Sequence, residues 1–382
     1  MIYRNFPGMD WKPSALGFGA MRLPLLSRNP ADVDYPQAVN MIRYAVDNGV
    51  NYLDTAYFYH SGNSEKAVGM ALQDGYRQKI KLATKFPARE VNSPADFDGA
   101  FQMQLERLQT DKVDFYLLHG LHRAVWDRLQ GMGVLNWLEK QKSAGRISHL
   151  GFSFHDDFTA FKQVVDAWDN WEFCQIHYNY MDEDYQAGRS GLDYAASKNL
   201  GVIVMEPLRG GQLAGVPPQA VADIWKFAQV QRSPVEWAFR WVWSQPQVSF
   251  LLSGMSSMAQ VMENVDIAAR AGNSSLNQYE KELIDRVKQA YRSACPVPCT
   301  ACRYCMPCPN GVEIPAIFRI FGEMKMYNDI NLAKMRYNGG IWGLNEKQHA
   351  GNCIECNHCL ELCPQHINIP EWLKKAHSEL KN

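Results

Sequence analysis

Long apolar runs are missing from this chain of 382 residues. None approaches the roughly 20 residues with which a helix crosses a bilayer, and Met1 to Asp10 shows no basic-then-apolar leader, so the expectation is a protein with no membrane partner. An excess of one charge is missing too. With 39 Lys and Arg against 40 Asp and Glu, the formal net charge of -1 argues against nucleic acid or an anionic membrane surface as the main partner. Cysteine is scarce before residue 295, where only Cys174 occurs, which argues against a disulfide framework. Low-complexity stretches are absent. No Gly-x-Gly-x-x-Gly follows the first apolar strand, which weighs against a doubly wound dinucleotide fold.

The cysteine that is present concentrates at one end. Eight of the ten form two runs, Cys299, Cys302, Cys305, Cys308 and Cys353, Cys356, Cys359, Cys363, each closing on a Cys-Pro step. Three thiolates spaced in this way wrap one corner of a cuboidal iron-sulfur cluster, and the fourth, before proline, is presented to the other cluster in two-cluster ferredoxins. The implied wiring is crossed. Cys299, Cys302, Cys305 and Cys363 would hold one 4Fe-4S cluster, and Cys353, Cys356, Cys359 and Cys308 a second. The first run departs from the bacterial pattern, with two residues (Met306, Pro307) before its last cysteine where three are usual. Structural zinc is a weaker fit, since it takes paired Cys-x-x-Cys units across a loop. Cluster chemistry points to a reducing cytoplasm. Cys174 reads as core, and Cys295 as a spare ligand or a bystander.

From Ser14 to about Arg270, short apolar strands alternate with amphipathic helices, as in βα units around a parallel sheet. Eight strands are expected: Leu16 to Met21, Asn51 to Ala56, Ile80 to Lys85, Val113 to Gly120, His149 to Phe154, Phe173 to Tyr180, Gly201 to Leu208 and Val248 to Gly254. With the intervening helices they predict a closed (β/α)8 TIM barrel over residues 1–290. At Cys295 the composition changes, and Ile314 to Asn328 reads as helical, so residues 291–382 are expected to form a small, mainly helical ferredoxin-like domain carrying the two clusters.

In such barrels chemistry sits at the carboxyl ends of the strands. The second strand ends at Asp54 and runs on to Tyr59, the third ends at Lys85 and the fourth near His119. A lysine ammonium within reach of a tyrosine lowers its pKa, Asp54 would hold Lys85 charged, and His119 would orient a carbonyl oxygen or share a proton relay. The aromatic and basic residues Tyr57, Phe58, His60, Arg123, Trp126, Arg128 and His155 are further candidates to line a pocket.

These residues carry a resemblance. Asp54-Thr-Ala-Tyr-Phe-Tyr59 with Gly62-Asn-Ser-Glu65 behind it, Lys85 in Leu-Ala-Thr-Lys-Phe, and His119 in Asp-Phe-Tyr-Leu-Leu-His are similar to the strand motifs of the aldo-keto reductases. The similarity spans roughly residues 1 to 290, and the cysteine runs resemble those of a ferredoxin-tailed branch. It implies an oxidoreductase that interconverts a carbonyl and an alcohol by hydride transfer with NADPH or NADH, Tyr59 serving as acid/base. It also implies where that cofactor lies. Ser153, Gln175 and Asn179 fall where the family holds or flanks the carboxamide. Pro207, Leu208, Gly210, Gly211 and Leu213 match the loop that receives the pyrophosphate, and Gly254, Ser256, Gln260, Glu263 and Asn264 the adenosine end.

Two features depart from the family pattern. Met205 stands where an aromatic usually stacks on the nicotinamide, and no Lys or Arg lies between Arg240 and Arg270, where NADPH-preferring relatives clamp the 2'-phosphate. Hydride transfer moves two electrons and clusters pass one, so two other readings stay open. One is an electron-transfer protein whose barrel binds a flavin or other two-electron converter, coupled to ferredoxin or another carrier; the other is a redox-sensing reductase.

Overall fold

A computed structural model describes residues 1–272, 276–339 and 343–381. Eight parallel strands close into a barrel in chain order: β1 (Leu16–Gly19), β2 (Tyr52–Asp54), β3 (Lys81–Phe86), β4 (Val113–Leu121), β5 (Ile147–Phe154), β6 (Phe173–His177), β7 (Gly201–Met205) and β8 (Val248–Gly254). β8 pairs with β1, Leu251 opposite Leu16 and Gly254 opposite Gly19. Strands covered on both faces need no alternation, and β4 is buried along its whole length.

Helices α1 (Tyr35–Asp47), α2 (Asn63–Ala71), α3 (Asp96–Leu108), α4 (Arg123–Gly131), α5 (Val134–Ser143), α6 (Phe158–Asp166) and α7 (Gly188–Ser197) link the first seven strands. α8 (Gln219–Trp225) and α9 (Pro234–Trp243) precede β8, and α10 (Met258–Arg270) and α11 (Gln278–Ser293) follow it. Their starts are written in the sequence. Asp34, Asp157 and Ser257 cap α1, α6 and α10 by accepting from Gln37, Ala160 and Gln260 backbone N–H groups. α6 then turns Ala160, Phe161, Val164 and Val165 inward at helical spacing.

The amino end of the barrel is plugged. Bridges between Tyr3 and Ser14 and between Phe6 and Met9 fold the first residues into a small hairpin. Its Phe6 ring lies 5.8, 6.4 and 6.3 Å from the rings of Phe115, Phe173 and Phe250. Gly201 opens β7 because a Cβ there would stand 2.2 Å from the Phe6 ring. Aromatic side chains thus fill the amino end of the barrel.

Four strands stop earlier than expected from the sequence: β1 at Gly19, β2 at Asp54, and β6 and β7, where the local cause is visible. β6 ends at His177 because the Asn179 carboxamide oxygen accepts from the Met181 and Asp182 N–H groups and turns the chain. β7 ends at Met205 because Glu206 takes φ 58°, outside the extended region.

Packing divides the chain differently from composition. Met1–Gly210 with Val235–Leu276 forms one unit, and Gly211–Pro234 with Asn277–Asn382 the other. The segment before α9 and α11 therefore group with the cysteine-rich part and not with the barrel. Arg232 pairs with Glu280 at 2.5 Å, the Tyr279 hydroxyl donates to the Phe227 carbonyl at 2.7 Å, and Tyr291 lies 5.1 Å from Tyr327.

The rest of that second unit is helical: α12 (Ile314–Tyr327), α13 (Ile330–Tyr337), α14 (His358–Leu362) and α15 (Ile369–Leu380). α12 and α15 both begin Ile-Pro, with Pro315 and Pro370 in the first turn where proline's missing N–H costs nothing. Both follow a Cys-Pro step by the same interval, and Val312 and Ile314 match Ile367 and Ile369 as buried residues of one apolar core.

Candidate active site and cluster sites

Asp54, at the end of β2, and Lys85, within β3, meet inside the barrel mouth with almost no exposure. Lys85 Nζ donates to Asp54 Oδ1, to the Thr55 carbonyl at 2.8 Å and to the Tyr59 hydroxyl at 3.3 Å. Its three N–H bonds are thereby all directed. Gln175 Nε2 donates to the other Asp54 oxygen at 3.2 Å. His119 presents its ring edge-on to Tyr59 at 5.6 Å and stacks flat on Phe58 at 4.6 Å. Its buried Nδ1 has no partner among the described residues.

Behind Lys85 lies a second polar layer. Glu65 is fully buried and accepts from Thr84 at 2.7 Å, Gln104 at 2.8 Å and Arg107 at 3.2 Å, while Gln104 also donates to the Lys85 carbonyl at 3.0 Å. Buried polar groups of this kind are costly unless bonded, and a fully bonded set fixes one arrangement.

The electrostatics differ in one respect from the sequence expectation. Burial raises the Tyr59 pKa, and the Lys85 ammonium, which pulls it down, offsets only part of that. Tyr59 is therefore a neutral phenol at ordinary pH. Burial works against the Lys85 ammonium, but Asp54 and Tyr59 together outweigh it and hold its pKa above the usual value. Burial pushes the Asp54 carboxyl up, against the pull of Lys85 and Gln175. His119 falls well below its ordinary value, first through burial and then through Lys85, His155 and Arg89, so it is a neutral imidazole. That state suits orienting an oxygen better than relaying protons.

The residues expected at the nicotinamide end are partly engaged with neighbouring protein groups. Ser153 Oγ accepts from the Gly120 N–H at 2.8 Å, leaving its own proton to give. Gln175 serves Asp54, as above. Asn179 Oδ1 accepts from the Met181 and Asp182 N–H groups, and its amide nitrogen donates to the Glu206 carbonyl at 3.1 Å, which braces the loop. Met205 is half-buried at the end of β7.

Farther along, Pro207 is buried and Leu208 half-buried, and Gly210 takes φ 67°. Gly211 and Leu213 follow in the short helical segment Arg209–Ala214, beyond the point where the chain passes to the second unit. At the adenosine end Gly254 is exposed, and the Gln260 side chain accepts from Ser256 N at 2.8 Å, closing on its own loop. Glu263 is exposed. Asn264 is buried and donates to Ser253 Oγ at 3.0 Å, which ties α10 to β8.

Two of the pocket candidates are spent elsewhere. Arg128 donates to the Val91 carbonyl at 2.7 Å and to that of Ala88, and Arg123 to Gln163 at 3.1 Å. Trp126 is buried core. His60 is a scaffold residue, its Nε2 accepting from Leu23 N at 3.1 Å.

The eight thiols rim two hollows. Cys299, Cys302, Cys305 and Cys363 line one, with Phe318 and Ile369; Cys308, Cys353, Cys356 and Cys359 line the other, with Ile354 and Leu373, and Cys305 borders both. Among the described residues no three His, Cys, Asp or Glu side chains close on a point the size of one metal ion. Hollows ringed by separated thiols, with apolar floors, fit cuboidal clusters. Cys174 is core, as its sequence suggests, and Cys295 Sγ lies against Gly322 and near the Val297 carbonyl.

A family model described as the aldo/keto reductase family matches residues 15–289. The chain belongs to the aldo/keto reductase family. A 4Fe-4S dicluster domain model matches residues 298–367. This reductase is 29% identical over 221 residues to the uncharacterized oxidoreductase YrpG of Bacillus subtilis, which covers 52% of this chain and 66% of that protein. It is 28% identical over 308 residues to L-galactose dehydrogenase of Arabidopsis thaliana, covering 74% of this chain and 92% of that one. An aldo-keto reductase of Bacillus halodurans in its holo form superposes with a TM-score of 0.62 at 27% identity, covering 75% of this chain and 96% of that one.

In this aldo/keto reductase, two groups at the barrel mouth carry no signal in the sequence. The Thr55 carbonyl completes the Lys85 site, and no side-chain pattern announces a backbone acceptor. Arg22, just after β1, lies across Gly254 and Gly210. Among the described residues no helix is long and apolar enough to cross a membrane.

Proposed function

We propose that the barrel interconverts a small-molecule carbonyl and its alcohol by hydride transfer with NADPH or NADH, Tyr59 being the acid/base. The observation that carries this reading is the buried Lys85 ammonium, held by Asp54 and Thr55 and directed at the Tyr59 hydroxyl at 3.3 Å. When bound, a nicotinamide exchanges the hydride, and each 4Fe-4S cluster exchanges one electron. In reduction, the neutral Tyr59 phenol gives its proton to the oxygen on which charge develops. Lys85 stabilises the phenolate left behind. His119, neutral and with a buried ring nitrogen unpartnered, orients the same oxygen. The residues present fit such a cofactor: the left-handed turn at Gly210 and the exposed Gly254 leave room for a phosphate-bearing chain beside the mouth.

Tyr59→Phe removes the acid and keeps the ring. Carbonyl reduction is expected to fall by several orders of magnitude with dinucleotide affinity retained, in a steady-state assay with a titration by cofactor fluorescence. Reduction at near wild-type rate would remove Tyr59 from its role.

A second reading concerns the clusters. Cys305 borders both hollows, which favours two clusters close enough to pass electrons and to serve ferredoxin or another carrier. Anaerobic titration with NADH, NADPH and dithionite, followed by visible absorbance and electron paramagnetic resonance, tests it. Reduction of the clusters by a nicotinamide supports electronic coupling to the barrel; reduction by dithionite alone leaves the clusters a separate module.

A further inference from the structure

We infer that Arg22, in the turn that follows β1, anchors the pyrophosphate of the dinucleotide. This rests on the dinucleotide reading above.

The turn Ala20–Arg22 that follows β1 is held on two sides. Ser64 Oγ donates to the Ala20 carbonyl at 2.8 Å in a buried position, and Leu23 N donates to His60 Nε2 at 3.1 Å. The His60 ring is fixed in turn, its Nδ1 lying 2.8 Å from the Pro30 carbonyl. From this firm base the Arg22 side chain crosses the mouth. Its stem carbons Cβ, Cγ and Cδ lie 3.3 to 3.4 Å from where a Cβ on Gly254 would stand. Its Nη2 reaches 3.4 Å from the corresponding point on Gly210. The arginine thus spans Gly254 at the end of β8 and Gly210 in the loop after β7, neither with a side chain to obstruct it.

The guanidinium is exposed and makes no ion pair or hydrogen bond with any described residue. Glu206 Oε2 stands 3.3 Å from the same point on Gly210, yet it and Arg22 do not pair. A dianionic pyrophosphate brought to this loop would meet that carboxylate. Arg209 is engaged with Asp182 at 2.9 Å. Arg22 supplies a positive charge, and its planar fork matches two phosphate oxygens.

The tip, and not the stem, marks the phosphate concerned. It sits at Gly210, in a loop where Glu206, Arg209 and Gly210 all take left-handed φ values of 58°, 50° and 67°. Such turns aim backbone amides at an anion. The pyrophosphate is common to NADPH and NADH, so Arg22 is expected to serve both alike.

The test uses the full chain under anaerobic conditions, with NADPH and NADH titrated by fluorescence against wild type, Arg22→Ala and Arg22→Lys. Arg22→Ala is expected to weaken both dinucleotides by the same factor, about tenfold to a hundredfold, with an unchanged melting temperature because the side chain is exposed. Arg22→Lys is expected to recover part of the loss, since the charge remains but the fork does not. Loss confined to NADPH would mean that Arg22 reads the 2'-phosphate, and overturns the assignment. Equal affinities in wild type and Arg22→Ala overturn it while leaving the dinucleotide reading intact. Failure of the wild-type protein to bind either dinucleotide sinks that reading and this one together.

Discussion

Replacing Lys85 by Met keeps the length of the stem and removes the ammonium on which the acid/base role proposed for Tyr59 depends. Lys85 Nζ stands 3.3 Å from the Tyr59 oxygen. Two unit charges at that distance in an effective dielectric of about 20 attract by roughly 5 kcal/mol. About half of a charge develops on the phenol oxygen in the transition state, so roughly 2.5 kcal/mol of stabilisation is lost, or close to a hundredfold in kcat. A second cost falls on the fold. Asp54 is left buried without its cation, which costs about 3–5 kcal/mol when one partner of a buried pair is removed. The variant is expected to melt lower and to reduce carbonyls about a hundredfold more slowly, with dinucleotide affinity close to wild type. Adding Asp54→Asn should restore much of the stability and none of the rate. The assays are thermal unfolding by circular dichroism and kcat at saturating cofactor. A Lys85→Met protein that keeps kcat within about threefold of wild type refutes the role given to the ammonium.

The pKa directions set the pH dependence of the two reaction directions. Tyr59 keeps its proton past the ordinary phenol range and His119 is neutral through the physiological range, so reduction should be level from about pH 7 to 9 while alcohol oxidation, which needs the phenolate, rises with pH; pH profiles of kcat in each direction check this, and an acid limb near pH 6.5 lost in His119→Gln would contradict the neutral imidazole. Phe6→Ala empties the aromatic plug at the amino end and should lower stability by about 3–5 kcal/mol in chemical denaturation without moving kcat, the site being at the other end. Cys363→Ser should deplete the hollow lined by Cys299, Cys302 and Cys305, and iron analysis of anaerobically reconstituted protein is expected to fall from about eight to about four atoms per chain; loss of the other cluster instead would reverse the wiring.

Much of this was legible in the residues, and what was not has physical causes. The strands announce themselves as short, mostly buried apolar runs, and Asp54, Lys85 and His119 because they lie at or near the ends of three successive strands. Strand ends were harder. The halt at His177 depends on one carboxamide, Asn179, folding back on its own turn, a local bond that competes with the sheet. Gln175 and Asn264 match a cofactor pattern by position, yet the first bonds Asp54 and the second bonds Ser253. Position in a motif fixes where a side chain starts, not which neighbour takes its hydrogen bonds. Arg22 could not be read at all, since the barrel closes β1 on β8 only in three dimensions. The likeness of Cys308-Pro309 leading to Ile314-Pro315 and Cys363-Pro364 leading to Ile369-Pro370 is visible in the letters, and gains its meaning once both segments are seen to open helices packed in one core.

Cys363 beside Cys299, Cys302 and Cys305 also bears on how the protein is made. A ribosome builds the chain from the amino end, and the first hollow lacks its fourth thiol until residue 363 has emerged. The barrel segments, which end at Leu276, have then long been made, and a chain truncated before Cys359 leaves neither hollow with its four thiols.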